Sequence, residues 1–221
     1  MAIANKSQLL PGDILLLKDE PSHLLKKGHR FDEVKHFGIV AGQAMTGPFR
    51  GGKSNLVHAV LWVSEGDPAC EIAEASGSCS RVQVRALQPG LYHVYRPVRP
   101  TYQDLADSAT TLGVYFATQG YTAYSKKGAV QSVFHLSRFG KKGHARAAQY
   151  ARDDFDPVQG FNGGAFCSEF VVACYQGAAG QLGLILRTLE VDAKHCSVRQ
   201  LHTKLVHNPT EFTSEGSFRQ P

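Results

Sequence analysis

The amino-acid sequence predicts an α+β fold, with strands concentrated before residue 98 and helices after residue 101. Two observations carry this. Short β-branched segments separated by turns of Gly, Asp or Pro fill the first hundred residues. Apolar residues at helical spacing replace them in the second half. The 221 residues fit one domain, 1–221: sheet-rich over 10–98, helix-rich over 101–205, with a polar, frayed tail over 206–221. A chain of this length buries roughly 70% of its unfolded surface, enough for a core without covalent staples.

The strand candidates follow in order. Residues 10–18, Leu10-Pro-Gly-Asp and then an apolar run, read as a turn leading into a strand. Residues 36–42 form a second candidate, and 47–54 a Gly/Pro loop. Residues 56–63, 71–75, 81–85 and 92–96 then read as an antiparallel meander. In the second half, Leu105, Ala109, Leu112 and Phe116 mark a helix over 102–119 with Thr101 as its N-cap. Residues 121–136 and 144–152 are weaker helical candidates. Residues 166–177 make the most apolar helix, and a last one covers 197–205.

Composition excludes several classes. With 43% apolar and 19% charged residues the chain is globular rather than disordered. Its +5 charge, from 24 Lys+Arg against 19 Asp+Glu, is spread in short clusters such as Lys126-Lys127 and Lys141-Lys142. Such clusters are solvated faces, so a nucleic-acid partner is not expected, although anionic envelope polymers suit the charge. No run approaches the ~20 apolar residues of a membrane-spanning helix. The N-terminus, Met-Ala-Ile-Ala-Asn-Lys, lacks the apolar stretch of a secretory signal, which predicts synthesis in the cytoplasm. The five cysteines show neither a disulfide framework nor Cys-x-x-Cys spacing, so no metal or cofactor is expected. Cys70 and Cys79 flank a turn and would pair only in an oxidising compartment.

The chemistry concentrates near Cys167. In Phe161-Asn-Gly-Gly-Ala-Phe-Cys-Ser-Glu-Phe-Val, two glycines permit a tight approach into a helix whose first turn carries the cysteine. The unpaired amides and dipole there favour a thiolate. The same amides, around Gly164, Ala165, Phe166 and Ser168, are placed to stabilise an oxyanion. A free cysteine in an apolar helix is otherwise a small core residue, which is the reading for Cys174. A nucleophile needs a base, and His36 and His58 both lie at strand starts. Glu74, on the strand after His58, is placed to orient that ring.

The chain resembles the circularly permuted NlpC-type papain-like hydrolases, the group of YiiX-like proteins and lecithin retinol acyltransferase. The ordered pieces are Leu10-Pro-Gly-Asp-Ile-Leu, Leu56-Val-His-Ala-Val-Leu-Trp-Val, Ile72-Ala-Glu-Ala-Ser-Gly, Val82-Gln-Val-Arg-Ala-Leu, Tyr92-His-Val-Tyr-Arg and Gly164-Ala-Phe-Cys-Ser-Glu-Phe-Val. The resemblance implies a papain-like fold, an antiparallel sheet packed on the cysteine helix, and thiol-mediated acyl chemistry at Cys167. Its strand-histidine pattern fits His58 with Glu74. A second frame takes His36 in His-Phe-Gly-Ile-Val as the base and moves His58 to the third polar position.

An amide hydrolase acting on a peptidoglycan peptide or a protein is the activity this implies. The rivals are a thiol acyltransferase or lipid thioesterase, and a catalytically silent binding module. Some type VI secretion effectors resemble this organisation. That setting implies delivery into a target cell or its periplasm, secretion machinery and a cognate immunity protein.

Overall fold

The computed structural model describes residues 3, 5–18, 56–64, 66–98, 101–134, 139–184 and 189–221. The 36–42 strand candidate, the 47–54 loop and His36 lie outside them. Within them the fold is α+β: one six-stranded antiparallel sheet with helices packed on it. The strands are β1 (Ile14–Lys18), β2 (Leu56–Trp62), β3 (Ile72–Ser76), β4 (Arg81–Arg85), β5 (Gly90–Pro97) and β6 (Phe212–Gln220). The helices are α1 (Gln103–Thr118), α2 (Lys126–Phe134), α3 (Lys141–Tyr150), the single turn α4 (Pro157–Gly160), α5 (Cys167–Gln181) and α6 (Val198–His207).

The sheet order is β4-β3-β2-β1-β5-β6, so the meander holds only for β1 to β4. β5 crosses to the far side of β1 instead of extending the series, because the two central edges must both be paired. β1 is accordingly flanked by β2 and β5, and Ile14, Leu15 and Leu16 are fully buried. The turn before it is held electrostatically. Buried Asp13 accepts from Arg96 Nε at 2.8 Å and Nη2 at 2.6 Å, and from the Leu10 N–H at 2.9 Å.

Alternate strand residues feed two cores. Leu61, Ala73, Ala75 and Val82 face the helical layer, whereas Val60, Trp62, Ile72 and Val94 pack beneath the sheet with Ile3, Leu9 and Leu87. α5 lies against β2 and β3 and is covered from outside by α1 and α3. Its residues from Cys167 through Ala179 are all buried, the polar Ser168, Glu169 and Gln176 among them each held by a partner. Gly113 of α1 permits this approach, because a Cβ there would come within 2.8 Å of Leu61 Cδ2 and 3.7 Å of Cys174 Sγ. Leu105, Ala109, Leu112 and Phe116 are buried as their spacing predicts. The expected cap is not used: Tyr102 rather than Thr101 occupies the N-cap, without a side-chain bond. At α6, by contrast, Ser197 caps the helix by accepting from the Gln200 N–H.

The C-terminus overturns the expectation of a frayed tail. β6 pairs with β5 from Gly90↔Gln220 to Pro97↔Phe212, and its polar alternation reflects an edge strand with one wet face. Phe212 stacks edge-on against Tyr175 at 5.3 Å, and Phe218 lies over Tyr92 at 5.8 Å. Deleting residues 212–221 should therefore destabilise the protein by more than about 3 kcal/mol, the scale of losing one buried phenylalanine. Urea unfolding at unchanged stability would mean the segment is dispensable.

Candidate active site

The place of Cys167 is set by the turn that precedes α5. Asn162, Gly163 and Gly164 take φ values of 29°, 90° and 97°, a left-handed run in which glycine is the unstrained choice. Gly164 is required twice over, since a Cβ there would stand 2.4 Å from the Ala123 carbonyl oxygen. The chain then bridges to the segment before α2: the Ala165 N–H donates to Ala123 O at 3.0 Å, and the Ser125 N–H to Ala165 O at 2.8 Å. Phe161, packed 5.7 Å from the rings of Phe116, Tyr150 and Phe155, anchors the start of the turn. Cys167 therefore opens α5 from a fixed backbone and is only 5% exposed.

Three predicted residues meet here. The His58 ring, 18% exposed in its side chain, places Nε2 2.5 Å from Glu74 Oε2, and the Cys167 thiol lies close enough to the ring to shift its protonation. With Nε2 on the carboxylate, Nδ1 is left for the sulfur. The register explains the meeting. β2 and β3 pair at Leu61↔Ala73 and Trp62↔Ile72, so His58 and Glu74 lie on neighbouring strands just beyond the paired positions, where their side chains meet. Glu74 is fully buried and accepts further bonds on Oε1 from Arg85 and, at 3.3 Å, from Gln83.

These contacts govern protonation. Burial by itself would lower the His58 pKa, but the Cys167 sulfur and then Glu74 outweigh it and push it up to about 10. Burial likewise opposes ionisation of Cys167. The charge of His58, its hydrogen bond and the N–H groups of Ala59 and Ser168 prevail and lower the thiol. Glu74 is held at about 2, its burial offset by His58 first and Arg85 next. The contacts thus hold His58 as an imidazolium beside an ionised Glu74 and bias Cys167 toward its thiolate. Cys174, seven residues on, is pushed up by burial and stays a thiol.

Members of the expected oxyanion set have partners of their own in the structure. The Ala165 N–H is engaged by Ala123, the Phe166 N–H faces Glu169 Oε2 at 3.4 Å, and the Ser168 hydroxyl donates to Cys196 O at 2.6 Å. These groups are structural, because a left-handed turn needs its peptides tied. The backbone donors at the sulfur are the N–H groups of Ala59 in β2 and of Ser168 in the first turn of α5, the latter among those a helix leaves without internal partners. Beside the sulfur is a recess of about 10 Å³ bounded by Val57, Tyr124, Ala129, Val133, Phe166 and Val198, room for roughly one water.

Arg85 and Gln83 were not singled out from the sequence. Their signal is the alternation in Arg81-Val-Gln-Val-Arg85, which puts both polar side chains on the face of Glu74. Cys70 and Cys79 are free, exposed and at opposite ends of β3. A five-residue strand separates them, longer than the ~7 Å a disulfide spans, so the expected turn between them is a strand. Among the described residues no His/Cys/Asp/Glu group could hold a metal, and no helix is long and apolar enough to cross a membrane. Comparison with protein-family models, curated proteins and solved structures finds no match to this chain.

The ion pair has a titration signature. Cys167 should form thiolate below the ordinary 9.0 of a cysteine, and lose its imidazolium partner only as pH rises through about 10. Ultraviolet thiolate absorbance, taken as the difference between wild type and Cys167→Ala, should show this early titration. Cys70, whose bond to Asp67 raises its pKa, should ionise later. An ordinary thiol titration at Cys167 would remove the ion pair. Glu74, lowered from 4.5 to about 2, contributes stability that is present above pH 4.5 and lost as pH falls toward 2. Acid unfolding of Glu74→Gln should therefore lack that pH dependence.

Proposed function

We propose that the protein is a cysteine hydrolase of papain-like, permuted NlpC type that cleaves an amide bond in a peptide or a peptidoglycan peptide. The observation that carries this is the His58 ring held between the Cys167 thiol and the Glu74 carboxylate at the N-terminus of a buried helix. The thiolate attacks the substrate carbonyl, and the oxyanion settles against the first-turn amides of α5. The His58 imidazolium then gives its proton to the leaving amine, which departs and leaves a thioester on Cys167. Neutral His58 next takes a proton from water, whose oxygen attacks the thioester and restores the thiolate. Glu74 keeps the ring oriented and its charge balanced throughout. Arg85 and Gln83 hold the carboxylate in turn.

The mild positive charge of the chain suits an anionic wall polymer. The test is incubation of the purified protein with peptidoglycan fragments, model peptides and lipid esters, read by mass spectrometry. Amide cleavage should appear and fall by a factor on the order of 10⁴ in Cys167→Ala and His58→Ala, with the circular-dichroism spectrum unchanged. Undiminished cleavage by the Cys167 variant ends this reading. Turnover of the lipid esters alone transfers the same site to an esterase or acyltransferase.

A further inference from the structure

Behind the nucleophile lies a second buried ionic cluster that the proposed chemistry does not use. Glu169, two residues past Cys167 in the first turn of α5, is fully buried. Its Oε2 accepts from the Phe166 N–H, and its Oε1 lies 3.1 Å from Lys194 Nζ without the direction of a hydrogen bond. The Lys194 ammonium donates instead to the carbonyl oxygens of Phe161 at 3.0 Å and Gly164 at 3.3 Å. Those two carbonyls bracket the left-handed run at Asn162, Gly163 and Gly164. The Gly164–Ala165 peptide is consequently tied at both ends, its oxygen on Lys194 and its N–H on Ala123.

Lys194 is itself fixed in place. It sits in the 3-10 turn Ala193–His195, capped by the Asp192 carboxylate, which accepts from the Lys194 N–H at 3.2 Å. Asp192 is gripped in turn by Arg146 Nε of α3 at 2.8 Å and lies 3.0 Å from His195 Nδ1. An exposed lysine would swing freely. This one is anchored through its backbone and reaches inward to a turn and a carboxylate.

The electrostatic consequence concerns the sulfur. An ionised Glu169 competes with the Cys167 thiolate for the same positive helix end. Burial pushes the Glu169 carboxyl up to about 7, with Lys194 the main influence against that rise and Arg146 a smaller one, while Tyr150 of α3 also faces its charge. Only a nearby cation lets both negative groups share one turn of helix.

We propose that Lys194 is a positioning residue for the nucleophile: its ammonium clamps the turn before Cys167 and offsets Glu169, so that the thiol is presented to His58 and ionises there. It acts through backbone carbonyls and a neighbouring carboxylate, not on the reacting atoms, and the inference rests on Cys167 being the nucleophile.

The test is the same ultraviolet titration, run on Lys194→Met, Lys194→Arg and Glu169→Gln, each against its own background with Cys167→Ala. Lys194→Met should move the thiolate titration to higher pH, by about tenfold in proton concentration, the scale of one charge contact. Glu169→Gln should move it to lower pH, since it leaves the ammonium unopposed. Lys194→Arg, which keeps the cation, should stay near wild type. On a cleavable substrate, kcat should fall in Lys194→Met with KM little changed. A purely structural lysine would produce no such opposed shifts. Titrations that stay put, or that both move one way, overturn the inference while the hydrolase reading stands. If Lys194→Met does not fold, Lys194→Gln, which keeps an N–H donor for the two carbonyls and drops the charge, decides alone: an upward shift sustains the proposal, and no shift or a downward one sinks it. The hydrolase reading fails separately, if wild-type Cys167 titrates as an ordinary thiol.

Discussion

Everything at the site depends on the burial of α5. A helix buried on every side has no solvent face, so it is held between the sheet and the helices α1 and α3, with no freedom to roll or slide. Its first residue is therefore held at one point above β2. Tyr175, a full two turns along, ties the helix to the β1 turn by donating from its hydroxyl to Gly12 O. The packing that stabilises the domain is the same packing that aims the sulfur at His58.

A thiol whose ionisation is favoured at such a buried point needs charges that are equally buried, and those are costly unless paired. The structure meets this with two chains of partners. On the sheet side the chain of partners runs from Cys167 to His58 and Glu74, and from Glu74 to buried Gln83 and to Arg85, whose side chain is partly open to water. Beside it, a second chain runs Glu169, Lys194, and through the 3-10 turn to Asp192 and Arg146. The first sets the protonation of Cys167, His58 and Glu74. The second ties the backbone turn that leads into Cys167. Both span distant parts of the chain, so both form only when the domain closes.

Much of this was legible locally. Helical spacing located α1 and α5, the Gly-Gly turn announced a nucleophile-like helix start, and the pairing of His58 with Glu74 followed from strand adjacency. What failed, failed for reasons of context. Thr101 is a good cap by type, yet the chain enters α1 at Tyr102. The polar alternation of 212–220 resembles a loose tail, and only the unpaired edge of β5 turns it into a strand. Amides at Ala165 and Phe166 looked available for an oxyanion because their partners, Ala123 and Glu169, become visible only when the turn is closed.

By itself, then, the sequence determined the elements and the reactive types: an apolar cysteine helix behind a glycine turn, and strands carrying a histidine and a carboxylate. These are properties of neighbours along the chain, where periodicity and φ preference act. The tertiary structure alone decided which charges face one another: Arg85 on Glu74, Lys194 between Glu169 and the turn, and the crossing of β5 to the far side of β1. Protonation depends on through-space distance and burial, and neither is defined until residues far apart in sequence are packed together.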